Sequence, residues 1–464
     1  VIANPPYMGN KYLNPNLKTY LKKNYQGFEK DLFSAFMIRD LQLTKESGQL
    51  GFMSPFVWMF ISSYETLRTH FIDNATITSL IQLEYSGFDG ATVPICTFTL
   101  AKSHISDFVG SYIKLSDFRG SENQAPKTLE AINNPDCGWF YTAKPDDFKK
   151  IPGSPVAYWV SDRLRNSFIT NPALHTIALP RAGMITGNNA IFVRTWHEVS
   201  ISKIGLGFEN RSSAQLSRKK WFPYQKGGSF RKWYGNYEYV VDWFDDGNKL
   251  KTLTDSKGKV PAHAFNEDYI FKPNVNWSAV TSSLFSVRIT DKGCLFDAGG
   301  SAAFPKTQYI PMLAGFLNSP VCQILLGAIN PTLNFQAWNI GNLPIISENN
   351  ELFNLITELV EVAKQISKND WDSYEISWDF TQNPIIRTEQ PNLEQAFNTW
   401  QQQNADAVAE MKRLEEENNK LFIDAYGLED ELTPDVPDEQ ITLTRADREK
   451  DSQRLVSYAL GCMM

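Results

Sequence analysis

The stretch Val1-Ile2-Ala3-Asn4-Pro5-Pro6-Tyr7 decides how the rest of this 464-residue chain is read. Three apolar residues suit a short strand. Pro5 then pushes Asn4 out of the helical region and fixes its own φ, so a stiff corner follows the strand. A carboxamide oxygen at such a corner accepts one hydrogen of an exocyclic ring amine, and a backbone carbonyl can take the other. Together they localise a lone pair that a ring such as adenine otherwise withdraws, and they aim it at a methyl donor. Tyr7 adds a ring face on which a base can stack. Without that chemistry, an Asn-Pro-Pro string is a loop breaker. Asn4, Pro5, Pro6 and Tyr7 are therefore the candidate catalytic residues, with Asn4 also facing the methyl donor.

Outward from the corner, the pattern alternates. Asp31 to Leu43 has helical periodicity, with Gly48 as a stop. Leu50 to Pro55 reads as a short buried strand, Ser63 to His70 as a helix, and Ile77 to Leu83 and Ile95 to Leu100 as strands. This alternation predicts an α/β sheet over residues 1–104, with a ligand crevice at the carboxyl ends of its strands. The last strand is entered by the turn Gly87-Phe88-Asp89-Gly90-Ala91. Phe88 could oppose Tyr7 across a base, or simply be a core residue capping a strand. Residues 105–160, rich in Pro, Gly and Asp, read as an irregular connector. Residues 161–346 are aromatic, basic and strand-like. Helices return over 347–464, where Ala407, Met411, Leu414, Leu421 and Phe422 stripe a helix from about Asn398 to Asp424. Glu415-Glu416-Glu417 is expected on its opposite, solvated face.

The net charge of −7 conceals segregation. From Arg163 to Trp233 twelve Lys/Arg stand against two acids, a net +10, whereas from Glu351 onward the balance is −14. A basic middle in an acidic chain suggests a local polyanion site. Five separated cysteines with no Cys-x-x-Cys pair argue for reduced thiols in a cytoplasm and against a zinc site, and no metal is expected. No apolar run is long enough to cross a bilayer, so no membrane partner is expected.

Within the basic middle, Arg218-Lys219-Lys220-Trp221 leads to Lys226-Gly227-Gly228 and Arg231-Lys232-Trp233. Cations interleaved with aromatics and glycines suit phosphate contacts with close backbone approach, although an exposed hairpin carries the same composition. Thr186-Gly187-Asn188-Asn189 supplies amides of the kind that read base edges, or forms a plain turn. With Arg194, these residues make up the candidate DNA interface. Leu295 to Ser301 has the letters of a Gly-rich cofactor loop, but Pro305 argues against the helix that should follow. Pro145-Asp146-Asp147-Phe148-Lys149 is too compressed for a nuclease motif.

These residues together resemble the amino-methyltransferases that make N6-methyladenine in DNA, in the group where target recognition follows catalysis. More narrowly, the chain is similar to the PglX-type adenine methyltransferases of BREX phage-defence systems. Lys220-Trp221-Phe222-Pro223-Tyr224, Gly235 to Val241, Asn330 to Gln336, Ile340 to Pro344 and Tyr426-Gly427-Leu428 to Asp438 carry that likeness. The resemblance implies a partial doubly wound, Rossmann-like methyltransferase sheet, followed by a β-rich target-recognition domain and a helical C-terminal region. It also implies S-adenosylmethionine as donor, duplex DNA with a flipped adenine as substrate, and other BREX-system proteins as partners. Phe88 falls where the family places its second stacking aromatic. The family's cofactor-binding half precedes the Asn-Pro-Pro-Tyr motif, so the isolated chain is expected to bind the cofactor weakly or not at all and not to methylate. The rival expectation is a non-catalytic DNA-binding or assembly module left from an interrupted gene. An RNA or protein-glutamine amine is a third possible acceptor.

Overall fold

The computed structural model describes residues 1–85, 87, 93–281, 283–346 and 350–464. The chain divides into two compact units, one of Val1–Thr170 with Gly327–Pro331, the other of Asn171–Leu326 with Thr332–Met464.

The first unit is built on a six-stranded mixed sheet, ordered β1-β2-β4-β3-β5-β6. β1 (Ile2–Ala3) runs parallel to β2 (Gln49–Pro55), with Ile2 opposite Gly51. A parallel neighbour requires a crossover, and the chain between the two strands carries α1 (Pro15–Asn24) and α2 (Leu32–Leu43). After α3 (Glu65–Asn74), β3 (Thr76–Gln82) and β4 (Ile95–Ala101) form an antiparallel pair, and β4 inserts between β2 and β3. The expected strands and helices of residues 1–104 are thus present, with ends displaced by a few residues. Their inward faces meet in one core around Phe33, Met37, Phe52, Trp58, Phe71 and Phe98. Arg68, only 1% exposed, ties that core together. Its guanidinium donates to the carbonyls of Trp58, Ile61 and Gly153 at 2.6–3.0 Å, and burial lowers its pKa to about 10.

Residues 105–160 are not an irregular connector. β5 (Gly110–Lys114) pairs in parallel with β3, and β6 (Phe140–Ala143) closes the sheet, with α4 (Ser121–Asn133) between them. Both strands are short, β5 opens on Gly110, and Pro126 sits inside α4. These features hide the periodicity. Tyr112 stacks on Tyr158 at 4.8 Å, which binds the segment into the same core. α5 (Asp162–Thr170) ends the unit.

The second unit holds two four-stranded sheets. One is ordered β13-β9-β10-β8 and the other β12-β11-β14-β7. Their strands are β7 (Ala178–Arg181), β8 (Val193–Thr195), β9 (Trp221–Gln225), β10 (Tyr239–Asp242), β11 (Asn274–Trp277), β12 (Val287–Thr290), β13 (Leu295–Phe296) and β14 (Ala302–Pro305). All five residues of β9 are buried, as are all four of β11 and of β12. Short helices are interleaved: α6 (Asn189–Phe192), α7 (Arg211–Leu216) and α8 (Phe244–Thr252). α9 (Ile310–Leu317) is buried at every position. A helix apolar all round shows no amphipathic period, which is why the sequence hid it.

Beyond α10 (Pro320–Ile329) and α11 (Ala337–Gly341) come α12 (Asn350–Trp371), α13 (Pro384–Arg387), α14 (Leu393–Tyr426) and α15 (Arg448–Met463). The expected boundary at 346/347 does not separate these helices, because α12 and α14 belong to the same compact unit as the sheets. Asn418 on α14 donates to the Gly315 carbonyl on α9 at 3.1 Å, and Tyr426 stacks on Phe316. Among the described residues, no single helix is long and apolar enough to cross a membrane.

Candidate active site and nucleic-acid interface

The corner at Asn4 follows directly from the carboxyl end of β1. Gly51 N–H donates to the Val1 carbonyl at 2.8 Å, and the pairing with β2 continues to Ala3, the residue just before the corner, which lies opposite Phe52. Pro5 is buried, whereas Asn4, Pro6 and Tyr7 are exposed. The corner therefore stands open rather than under packed side chains. The Tyr7 hydroxyl donates to Asn4 Oδ1 at 2.8 Å. Partial burial, with the nearby Cys96 thiol adding, raises the Tyr7 pKa above its ordinary value. The phenol thus keeps its proton and holds the carboxamide in one orientation, while a carbonyl oxygen retains a second lone pair for another donor.

A residue outside the motif anchors the turn. Asp31 Oδ1 accepts from the Met8 N–H at 2.8 Å and from the Phe33 N–H at 3.2 Å, so one carboxylate both clamps the turn and caps α2. The Leu32 N–H returns a bond to the Met8 carbonyl at 3.0 Å. Burial raises the Asp31 pKa, and the backbone donors of Met8, Phe33 and Leu32 oppose that rise. Behind the turn, Phe33 meets the Tyr7 ring edge-on at 6.4 Å and stacks on Tyr64 at 5.5 Å. An aspartate before an apolar helical run is a cap signal, so Asp31 was legible as a cap; its grip on Met8 was not. Asp31→Ala is expected to cost about 0.5–2 kcal/mol, the usual range for a lost cap, and Asp31→Asn to recover most of it. Thermal unfolding measures the cost, and faster hydrogen exchange at the Met8 amide reports release of the turn.

Phe88, the expected second stacking ring, lies outside the described residues.

The basic residues of the second unit part into three groups. Arg194 and Lys220 flank the ring of Trp221, at 5.9 and 5.0 Å from its centroid. Arg218 and Lys220 are exposed, and Lys219 donates to the Ser202 carbonyl. Thr186 is buried and donates to Asn189 Oδ1 at 2.6 Å, while Gly187, Asn188 and Asn189 face solvent. Lys226 sits 3.4 Å from Asp297, which also accepts from the Tyr224 hydroxyl and the Gly299 N–H. That aspartate is the centre of a structural turn in the Leu295–Ser301 stretch.

Arg231, Lys232 and Trp233 correct the expectation of DNA contacts, because all three are buried. Arg231 pairs with Asp370 on α12 at 2.8 Å and lies over the Trp371 ring at 5.0 Å. Lys232 Nζ reaches Glu415 Oε2 at 2.6 Å, and Trp233 Nε1 donates to Glu415 Oε1 at 2.8 Å. Glu415 is only 2% exposed, so it does not lie on the solvated face expected for the Glu415-Glu416-Glu417 tract. The run serves as an internal clamp between sheet and helices.

The family profile of the Eco57I restriction-modification methylases matches residues 1–88, which contain the corner and α2. A protein named adenine-specific methyltransferase PglX, from Lacticaseibacillus casei (strain Zhang), is 36% identical over 475 residues, which span 100% of this chain and 39% of that protein. Along its whole length the chain is similar to that protein. The adenine-specific methyltransferase BrxX of Escherichia coli O9:H4 (strain HS) is 32% identical, with 100% of this chain and 38% of that protein covered. The chain thus spans about two fifths of the length of these relatives. Among solved structures, the Type IIL restriction-modification enzyme MmeI in complex with DNA superposes with a TM-score of 0.51 at 11% identity, over 100% of this chain and 57% of that one. That likeness bears out the mixed α/β fold with its helical C-terminal region. The resemblance to PglX-type adenine methyltransferases is likewise borne out.

Proposed function

We propose that this chain supplies the base-holding and DNA-reading parts of an S-adenosylmethionine-dependent N6-adenine DNA methyltransferase of a BREX-type phage-defence system. The observation that carries the proposal is the open Asn4 corner at a strand end, latched by Tyr7 and anchored by Asp31. Asn4 Oδ1 and the Pro5 carbonyl accept the two N6 hydrogens of an extruded adenine, concentrating its lone pair on nitrogen, and the Tyr7 ring stacks on the base. S-adenosylmethionine, when bound, supplies an electrophilic methyl group. The corner's two hydrogen-bond acceptors fit the amine of the base better than the cofactor's ribose, since the Asp31 carboxylate is already held by backbone N–H groups. Among the described residues no group of three His, Cys, Asp or Glu side chains could hold a metal ion.

A duplex with 2-aminopurine at the target position tests the base-holding role in the full-length protein. Binding should brighten the probe as the base leaves the stack. Tyr7→Ala should weaken that complex by about 1–3 kcal/mol, the worth of one aromatic stack, while Tyr7→Phe keeps most of it. Equal complexes from all three proteins would remove Tyr7 from the proposal. Duplex affinity should fall steeply with salt; a flat curve would favour a non-nucleic-acid acceptor.

A further inference from the structure

The Thr186–Asn189 turn does not stand alone. Ile185 and His263 exchange two backbone hydrogen bonds, at 2.9 and 2.8 Å, joining the turn to the loop of residues 255–266. Gly187 has a φ of +69°, and a Cβ there would lie 2.7 Å from the Pro261 carbonyl carbon. The two loops are therefore in backbone contact, and only glycine permits it. The far end of the second loop is held by Asn266, whose Nδ2 donates to the Ala182 carbonyl at 2.9 Å. Its near end is folded on Asp255, whose Oδ1 accepts from the Lys257 and Lys259 N–H groups at 2.8 and 2.9 Å. That carboxylate is engaged by backbone, and both lysine side chains are exposed, with no ion pair among the described residues.

At the end anchored by Asn266, the rings of His263 and Phe265 stack at 5.4 Å with 12° between their planes, and Phe265 is 48% exposed. An exposed flat pair on the same loop as two exposed ammonium groups, with no ion pair among the described residues, matches a nucleic acid, which offers ring faces and phosphates side by side. Within residues 255–266 these two lysines stand against one aspartate whose Oδ1 is taken up by backbone N–H groups. This favours a polyanion over a neutral protein face.

We propose that residues 255–266 form a second arm of the DNA-reading face. Lys257 and Lys259 bind backbone phosphates, and the His263–Phe265 stack lies against a base or deoxyribose next to the bases read from Asn188 and Asn189. The proposal rests on the reading that this unit binds duplex DNA.

Fluorescence anisotropy of this chain with a 30-base-pair duplex, from about 50 to 200 mM salt, tests both. The Lys257→Ala/Lys259→Ala variant should lower the slope of log affinity against log salt by about 2, one unit per lost phosphate contact. Phe265→Ala should weaken binding about fivefold or more with the slope unchanged, as expected for a lost stack. Both sets of side chains are exposed, so melting temperatures should match the parent's. Salt-dependent binding by the parent, with unchanged curves for every variant, overturns the second arm and leaves DNA binding standing; a protein-docking role for the loop gives this result. No salt-dependent binding by the parent overturns both.

Discussion

Replacing Asn4 with alanine in the full-length protein is expected to slow adenine methylation by about 10²–10³-fold while leaving duplex affinity nearly unchanged. The size follows from the cost of removing one preorganised hydrogen-bonding group aimed at charge that develops only in the transition state, about 2.7–4 kcal/mol. Adenine N6 enters the reaction with its lone pair delocalised into the ring. An acceptor held in place beforehand relieves that delocalisation without reorganising as the methyl moves. The latch from Tyr7 fixes the carboxamide in advance, at 2.8 Å. The side chain is exposed on the corner and packs into no core, so the variant should fold normally. Single-turnover methylation with saturating donor and duplex separates the chemical step from binding. A chemical step near the parent's rate would remove Asn4 from catalysis.

The second large effect is on stability. Glu415→Ala is expected to destabilise the second unit by about 3–5 kcal/mol, because it leaves the Lys232 ammonium buried without a counter-charge. The Trp233 indole N–H loses its acceptor in the same stroke. Lys232→Met combined with Glu415→Leu should recover most of the loss, since an apolar pair of similar volume avoids desolvating two charges. The indole donor stays unsatisfied in that double variant, a residual cost of about 1–3 kcal/mol. Urea unfolding followed by tryptophan fluorescence gives the midpoints. A single variant with the parent's midpoint would show that these three residues do not clamp sheet to helix.

The sequence by itself determined the parts whose causes lie close together along the chain. The Asn-Pro-Pro corner is stiff because proline acts on its own φ and on its immediate neighbour. The helix after Asp31 and the strands at Leu50, Ile77 and Ile95 follow from periodicities a few residues long. The whole-chain likeness to PglX-type methyltransferases was legible in short strings such as Lys220-Trp221-Phe222-Pro223-Tyr224. Where periodicity fails, so does the reading. β5 and β6 are short, α4 carries Pro126, and the uniformly buried α9 has no polar face to mark its turns.

Only the tertiary structure decided which charges face outward. Lys220 and Lys232 belong to the same basic stretch and look alike as letters, yet one stays exposed beside Trp221 with Asp242 at 3.6 Å, and the other is buried against a glutamate 183 residues away. An ammonium group satisfies a phosphate or a carboxylate equally well, and composition cannot say which of them the fold delivers. The same holds for Asp31 and Met8, and for the Ile185–His263 pairing that sets two distant loops side by side. Local stereochemistry is written in neighbouring residues. The choice of long-range partner is made by packing, which buries some charges against each other and leaves the rest to solvent and ligand.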